Sequence, residues 1–129
     1  MKVEQEIPST RIADLLSCAF EGGTGYWCRI VGYRAPTDPR SVWGKEKIYP
    51  PADYPLAGGA VLCEVTDEGD DPEERATLVL NMAAIKRGLA RMANMQPSRH
   101  WAAFLAGDED AETGDVFLQL CLLGEIVYG

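Results

Sequence analysis

One histidine, four scattered cysteines and no CxxC pair leave this chain of 129 residues with little of the usual material for chemistry. His100 stands alone, so a histidine-based acid–base pair or triad would have to run through it. Asp108 and Asp110 are near enough in sequence to orient it, but Ser98-Arg99-His100 reads equally as the polar first turn of a helix, and no recognisable nucleophile accompanies it. A structural role is favoured, and no enzymatic activity is expected. Cys18, Cys28, Cys63 and Cys121 each sit among apolar neighbours, as small core residues do, which argues against a disulfide framework or a zinc site. No apolar run reaches membrane-spanning length, and the first residues lack the basic and then apolar regions of a signal peptide. A cytoplasmic protein is expected, with no membrane partner. Internal repeats, low-complexity tracts and linkers are also missing, so residues 1–129 are expected to form a single domain.

What the chain has in excess is negative charge. Its net charge is −8, and twelve of its twenty acidic side chains fall in two runs, 64–74 and 108–115. Such a surface repels naked nucleic acid and anionic membranes and attracts basic partners. The first run places seven carboxylates in eleven residues, a density that resembles the charge spacing of a phosphate-mimicking surface and exceeds what solubility requires.

Apolar periodicity organises the rest. Ile12, Leu15, Leu16, Ala19 and Phe20 predict a short amphipathic helix after Pro8-Ser9, stopped by Glu21-Gly22-Gly23. Residues 26–34 are aromatic and β-branched and read as a strand. Five of the eight prolines crowd between positions 35 and 55, which excludes a regular helix and predicts a long loop, with a brief edge strand at 42–49. Residues 60–66 and 76–80 read as paired strands, because Asp67-Glu68-Gly69-Asp70-Asp71-Pro72 supplies turn chemistry between them. The period then becomes helical. Met82, Ile85, Leu89 and Met92 form one apolar stripe, and Trp101, Phe104 and Leu105 face a second helix that starts after Pro97-Ser98 and stops at Gly107. Thr113 is expected to cap a last helix, with Asp115 in its first turn. Residues 116–123 are apolar on nearly every face, which suits the centre of a core or a subunit interface, so homo-oligomerisation stays open. The fold expected is α+β: a small antiparallel sheet packed by an N-terminal helix and a C-terminal helical region.

Two constellations have bland alternatives that fit better. Glu21-Gly22-Gly23-Thr24-Gly25 could cradle a ligand with its N–H groups, but it lacks the spacing of a P-loop or dinucleotide fingerprint and reads as a helix stop before a strand. Asp108 to Gly114 resembles the start of a calcium loop, but its glycine comes one place late and Gln119 stands where a bidentate glutamate is needed. Neither a metal nor a cofactor is expected.

The segment Phe20-Glu21-Gly22-Gly23-Thr24-Gly25-Tyr26-Trp27, together with Asp110-Ala111-Glu112-Thr113-Gly114-Asp115-Val116-Phe117-Leu118-Gln119 and the ending Gly124-Glu125-Ile126-Val127-Tyr128-Gly129, resembles a family of small, mostly uncharacterised bacteriophage proteins. The likeness covers the two ends of the chain and leaves the proline-rich middle unmatched. It implies phage origin and a bacterial host cytoplasm, and it brings no catalytic residues with it.

Phage origin, small size and acidity lead to the expectation of a non-enzymatic antagonist of a host defence or regulatory factor. An inhibitor of the anti-CRISPR type, aimed at an effector whose nucleic-acid channel is basic, would be one example. Its partner would be a basic host protein or a nucleic-acid-binding complex, with no direct contact to nucleic acid. Its surface would be Asp67, Glu68, Asp70, Asp71, Glu73, Glu74, Asp108, Glu109 and Asp110. The alternative is a sponge for an anionic nucleotide signal, stacking on Tyr26, Trp27 or Trp101 and pairing phosphates with Arg87, Arg91 or Arg99. The inhibitor predicts an acidic surface without a deep pocket, and the sponge a basic, aromatic-lined recess.

Overall fold

A computed structural model describes residues 7–35, 50–66, 76–95 and 99–128. The expected edge strand at 42–49 and the acidic hairpin tip at 67–74 lie outside the described residues. The architecture is α+β: a three-stranded antiparallel sheet, an N-terminal helix, and C-terminal helices that pack together.

The sheet has the order β1 (Cys28–Arg34), β2 (Ala60–Val65), β3 (Thr77–Leu80). Cys28 lies opposite Val65 and Arg34 opposite Ala60, with an irregularity in register between Ile30 and Gly32. Val61 lies opposite Leu80 and Glu64 opposite Thr77. As the central strand, β2 is buried at every position but Leu62. Its one charged residue, Glu64, is buried and meets Arg29, its cross-strand partner, at 3.3 Å. The first strand begins two residues later than its sequence predicts, because Trp27 and Cys28 both donate their backbone N–H to the Thr24 carbonyl at 3.0 Å and hold that stretch as a turn.

Helix α1 (Ser9–Cys18) buries Ile12, Leu15 and Leu16. It does not simply stop at the glycines. Residues Ala19–Gly23 widen into one π-helical turn, closed by the Thr24 N–H on the Ala19 carbonyl at 3.0 Å and by the Thr24 hydroxyl on the same oxygen at 2.9 Å. Among the described residues of the proline-rich stretch there is one short helix, α2 (Asp53–Leu56), contrary to the sequence expectation. Pro55 is tolerated there because it occupies the first turn, where backbone N–H groups have no intrahelical acceptor to lose.

Helix α3 (Met82–Ala93) is capped by Asn81, whose side chain accepts from the Ala84 N–H at 3.0 Å. Its buried face is Ala84, Ile85, Gly88 and Met92, while Met82 and Leu89 are only half-buried, so the helix is rotated relative to the stripe read from hydropathy. Gly88 is the reason: a Cβ at that position would collide with the Cys121 Sγ, so the helices meet where α3 has no side chain. In α4 (Arg99–Ala106) Phe104 is buried, Trp101 is half-buried and Leu105 is exposed, which narrows the expected apolar face. Gly107, at φ +78°, ends it.

Helix α5 (Ala111–Leu122) is the centre of the molecule, buried at every position from Thr113 to Cys121. Its cap is Asp110, not Thr113: the Asp110 carboxylate accepts from the Thr113 N–H at 2.9 Å and from the Thr113 hydroxyl at 3.0 Å. Both residue types cap helices well, and starting at Asp110 lets Thr113 bond back to the cap. One turn on, Gly114 lies against α1, where a Cβ would stand 2.8 Å from the Cys18 carbonyl carbon and 2.9 Å from the Ala19 Cα. Among the described residues, no helix is long and apolar enough to cross a membrane.

Candidate functional site

Three groups of polar side chains stand out: a buried network on α5, a carboxylate rim between α1 and α5, and a pair of arginines on α3. In the first, Asp115 is buried in the second turn of α5 and not in its first, because the helix is capped at Asp110 and not at Thr113. It accepts from the Tyr26 hydroxyl at 2.5 Å, the Trp27 Nε1 at 2.7 Å and the Gln119 Nε2 at 3.1 Å. Gln119 is fully buried and binds the chain's last described residues: its Oε1 accepts from the Val127 and Tyr128 N–H groups at 2.8 and 2.9 Å, and its Nε2 donates to the Tyr128 carbonyl at 3.0 Å. The Tyr128 ring then stacks on Trp27, with centroids 5.4 Å apart and planes 14° apart. Burial, followed by the hydrogen bond to Asp115 and its charge, pushes the Tyr26 hydroxyl up to about 12. Every polar atom of Asp115 and Gln119 thus serves the fold, as buried polar groups must.

The carboxylate rim centres on Arg11 and Cys18. Arg11 donates to Asp14 at 3.2 Å, to Glu109 at 2.9 Å and to the Phe104 carbonyl at 2.7 Å, and its guanidinium lies 5.4 Å from the centre of the Phe104 ring. Burial alone would raise the Glu109 carboxyl. Its bonds to Arg11 and to backbone, with the Arg11 charge, outweigh that and hold it below its ordinary value. Asp110 is also held low, first by the Thr113 N–H and then by the Thr113 hydroxyl. The half-buried Cys18 thiol is raised by burial and by four surrounding carboxylates: Glu109, Asp110, Asp14 and Glu21. Of the three acidic residues expected here from sequence, Asp108 is exposed, Glu109 is tied to Arg11, and Asp110 serves as a cap. The others, Asp67, Glu68, Asp70, Asp71, Glu73 and Glu74, lie outside the described residues.

The residues expected to hold an anionic nucleotide are not gathered in one place. Trp27 is fully buried under Tyr128 and offers no stacking face to solvent, and Tyr26 is exposed but tethered to Asp115. Trp101 lines a separate, mostly apolar groove with Ile7, Met82 and Lys86. Arg99 is paired with Glu112 at 2.5 Å. Only Arg87 and Arg91 share a depression, of about 520 Å³, together with Asn94, Met95 and Leu120.

His100 bridges α4 and α5, its Nδ1 3.3 Å from the Thr113 hydroxyl and its Nε2 4.0 Å from Glu112. All four cysteines are free. The Cys63 thiol is raised by the neighbouring Cys28 thiol and by burial, and the Cys121 thiol by burial, so both stay protonated at neutral pH. Among the described residues, no cluster of three or more His, Cys, Asp or Glu side chains is placed to hold a metal ion.

Asp115 and Gln119 were missed as a pair by sequence reasoning. The available signal was two polar residues four apart in an otherwise apolar helix, a spacing that places both on one face and requires internal partners. No protein-family profile, curated protein or solved structure matches the chain.

Proposed function

We propose that the chain is a phage-encoded, non-enzymatic binding protein that antagonises a host defence or regulatory factor by presenting carboxylates to a basic surface, such as the nucleic-acid channel of a CRISPR effector. The observation that carries this reading is that α1 and the loop before α5 bring Asp14 and Glu109 together at Arg11, beside the cap residue Asp110 and exposed Asp108, in a protein of net charge −8. Two chain segments far apart in sequence supply those side chains, so the local field comes from the fold as well as from composition. The placing of His100 against the Thr113 hydroxyl and beside Glu112 supports a structural use for the chain's one histidine.

The test has two variants: Asp14→Asn/Glu21→Gln/Asp108→Asn at the rim, and Asp70→Asn/Asp71→Asn/Glu73→Gln/Glu74→Gln in the other acidic run. Pull-down from a bacterial host identifies the partner, and association rates are then measured against salt. Slower association with a flatter salt dependence is expected for at least one variant, because like-for-unlike charge complementarity acts mainly on encounter. Unchanged capture and unchanged salt dependence for both would end the charge-based reading.

A further inference from the structure

The arginines of this acidic protein are not used alike. Arg11 pairs with Asp14 and Glu109, Arg29 with Glu64, and Arg99 with Glu112. Arg87 and Arg91, one turn apart on the exposed side of α3, pair with no carboxylate among the described residues. The Arg91 Nη1 donates to the Gly124 carbonyl at 3.0 Å, just past the end of α5, while Arg87 makes no hydrogen bond to any described residue. Between them lies the depression of about 520 Å³, walled on one side by Leu120 and Met95 and rimmed by Asn94.

We infer that this depression is a binding site for a small organic phosphate. Two helix C-termini border it, each carrying about half a negative charge, but two full guanidinium charges outweigh them at this range. The protein's net negative charge does not prevent binding, since charges more than about 10 Å away are largely screened at ordinary salt. Phosphate suits the site better than carboxylate. A carboxylate's two oxygens are filled by one guanidinium fork, whereas a phosphate monoester has three terminal oxygens and can take both. The bond to Gly124 fixes the Arg91 fork in advance, which lowers the ordering cost of binding. Leu120 and Met95 would take the apolar part of the ligand, and the volume is within the usual range for small-molecule sites. Among the described residues no aromatic side chain lines the depression, so the recognition argued here uses no base stacking.

The experiment is NMR of the arginine Nε–H groups and backbone amides of the full chain, titrated at constant ionic strength with inorganic phosphate, phenyl phosphate or acetate. Saturable shifts are expected at Arg87, Arg91 and Gly124 and not at Arg99, with phenyl phosphate binding more tightly than inorganic phosphate and acetate giving no saturation. Arg87→Gln is the deciding variant, because its guanidinium holds nothing in the described fold. It should weaken phenyl phosphate at least about tenfold, as losing a charge-assisted hydrogen bond does. Shifts spread equally to Arg99, saturation by acetate equal to that by phosphate, or unchanged affinity in Arg87→Gln would each overturn the assignment. Equal affinity for the two phosphates would overturn the role given to Leu120 and Met95.

Discussion

Helices α3 and α5 are each twelve residues long and lie against one another, yet they use polar side chains in opposite ways. On α5, burial runs unbroken from Thr113 to Cys121, and the polar residues within it, Thr113, Asp115 and Gln119, are bonded internally. On α3 only one face is buried, and Lys86, Arg87 and Arg91 stand in solvent. The lesson is that polarity inside the most apolar helix is architectural, whereas polarity on the amphipathic helix is available to a ligand. Tyr26, Trp27, Asp115, Gln119 and Tyr128 come from three separate stretches of the chain and meet in one network, so the first kind of polarity ties distant segments together.

The sharpest way to break this comparison is at Gly114. Its missing side chain lets α5 touch the α1 backbone, which cannot move aside as a flexible side chain could. Gly114→Ala should therefore cost about 3 kcal/mol or more in chemical denaturation, the upper range for overpacking. The same change at Gly22, which has open space around it, should be nearly silent. Equal effects at the two positions would remove the close approach from the account of α5.

Next in size is Asp115→Ala. It strips the acceptor from the fully buried Trp27 Nε1 and from Gln119, while Tyr26 can turn to water. A loss of roughly 2–3 kcal/mol is expected, since a buried donor left unpaired costs its full desolvation. The C-terminal tail should loosen as well, read as faster amide exchange at Val127 and Tyr128, because Gln119 would lose one of the bonds that orient it. Slow exchange there in the variant would show that Gln119 holds the tail without help.

How far this could be read in advance depends on the range of the interaction. The paired strands and the all-round apolar helix were legible because alternation, turn residues and hydropathy are local. The orientation of α3 was not: Gly88 carries no hydropathy, so a period count cannot register that the closest contact falls there. Nor was the burial of Trp27, which reads as a stacking platform beside a glycine loop. Its cover, Tyr128, comes from the far end of the chain, and no local pattern announces a contact of that span. The arginine pair was named from sequence only together with Arg99, as candidate phosphate ligands. That Arg99 pairs with Glu112 while Arg87 pairs with no carboxylate among the described residues is a tertiary fact.

A smaller effect tests the edge of α5, where its buried length meets the rim. The folded-state values of Asp110 and Glu109 are both depressed, so their contribution to stability is complete above the unfolded carboxylate range, near pH 4, and is lost as pH falls through the lower folded values. Asp110→Ala should cost about 1 kcal/mol at neutral pH through loss of the cap. Asp110→Asn keeps a cap acceptor but cannot titrate. It should leave neutral stability nearly intact and make the decline of stability toward low pH shallower, as measured by urea denaturation across the acid range. An acid decline as steep as in the parent would take Asp110 out of that transition.

The smallest effect is expected at Arg87, and its smallness is the point. Replacing a charged residue on α3 should behave unlike replacing one on α5, because the Arg87 guanidinium contacts no hydrogen-bond partner among the described residues and lies at the surface. Arg87→Gln keeps the helix-forming stem, so stability should change by no more than about 0.5 kcal/mol, as at surface sites without special partners. Arg91→Gln should cost slightly more, because it gives up the bond to the Gly124 carbonyl that ties α3 to the end of α5. Thermal denaturation of the two variants side by side decides the matter. A loss at Arg87 as large as at Asp115 would make the α3 arginines architectural too, and the contrast between the two helices would fail.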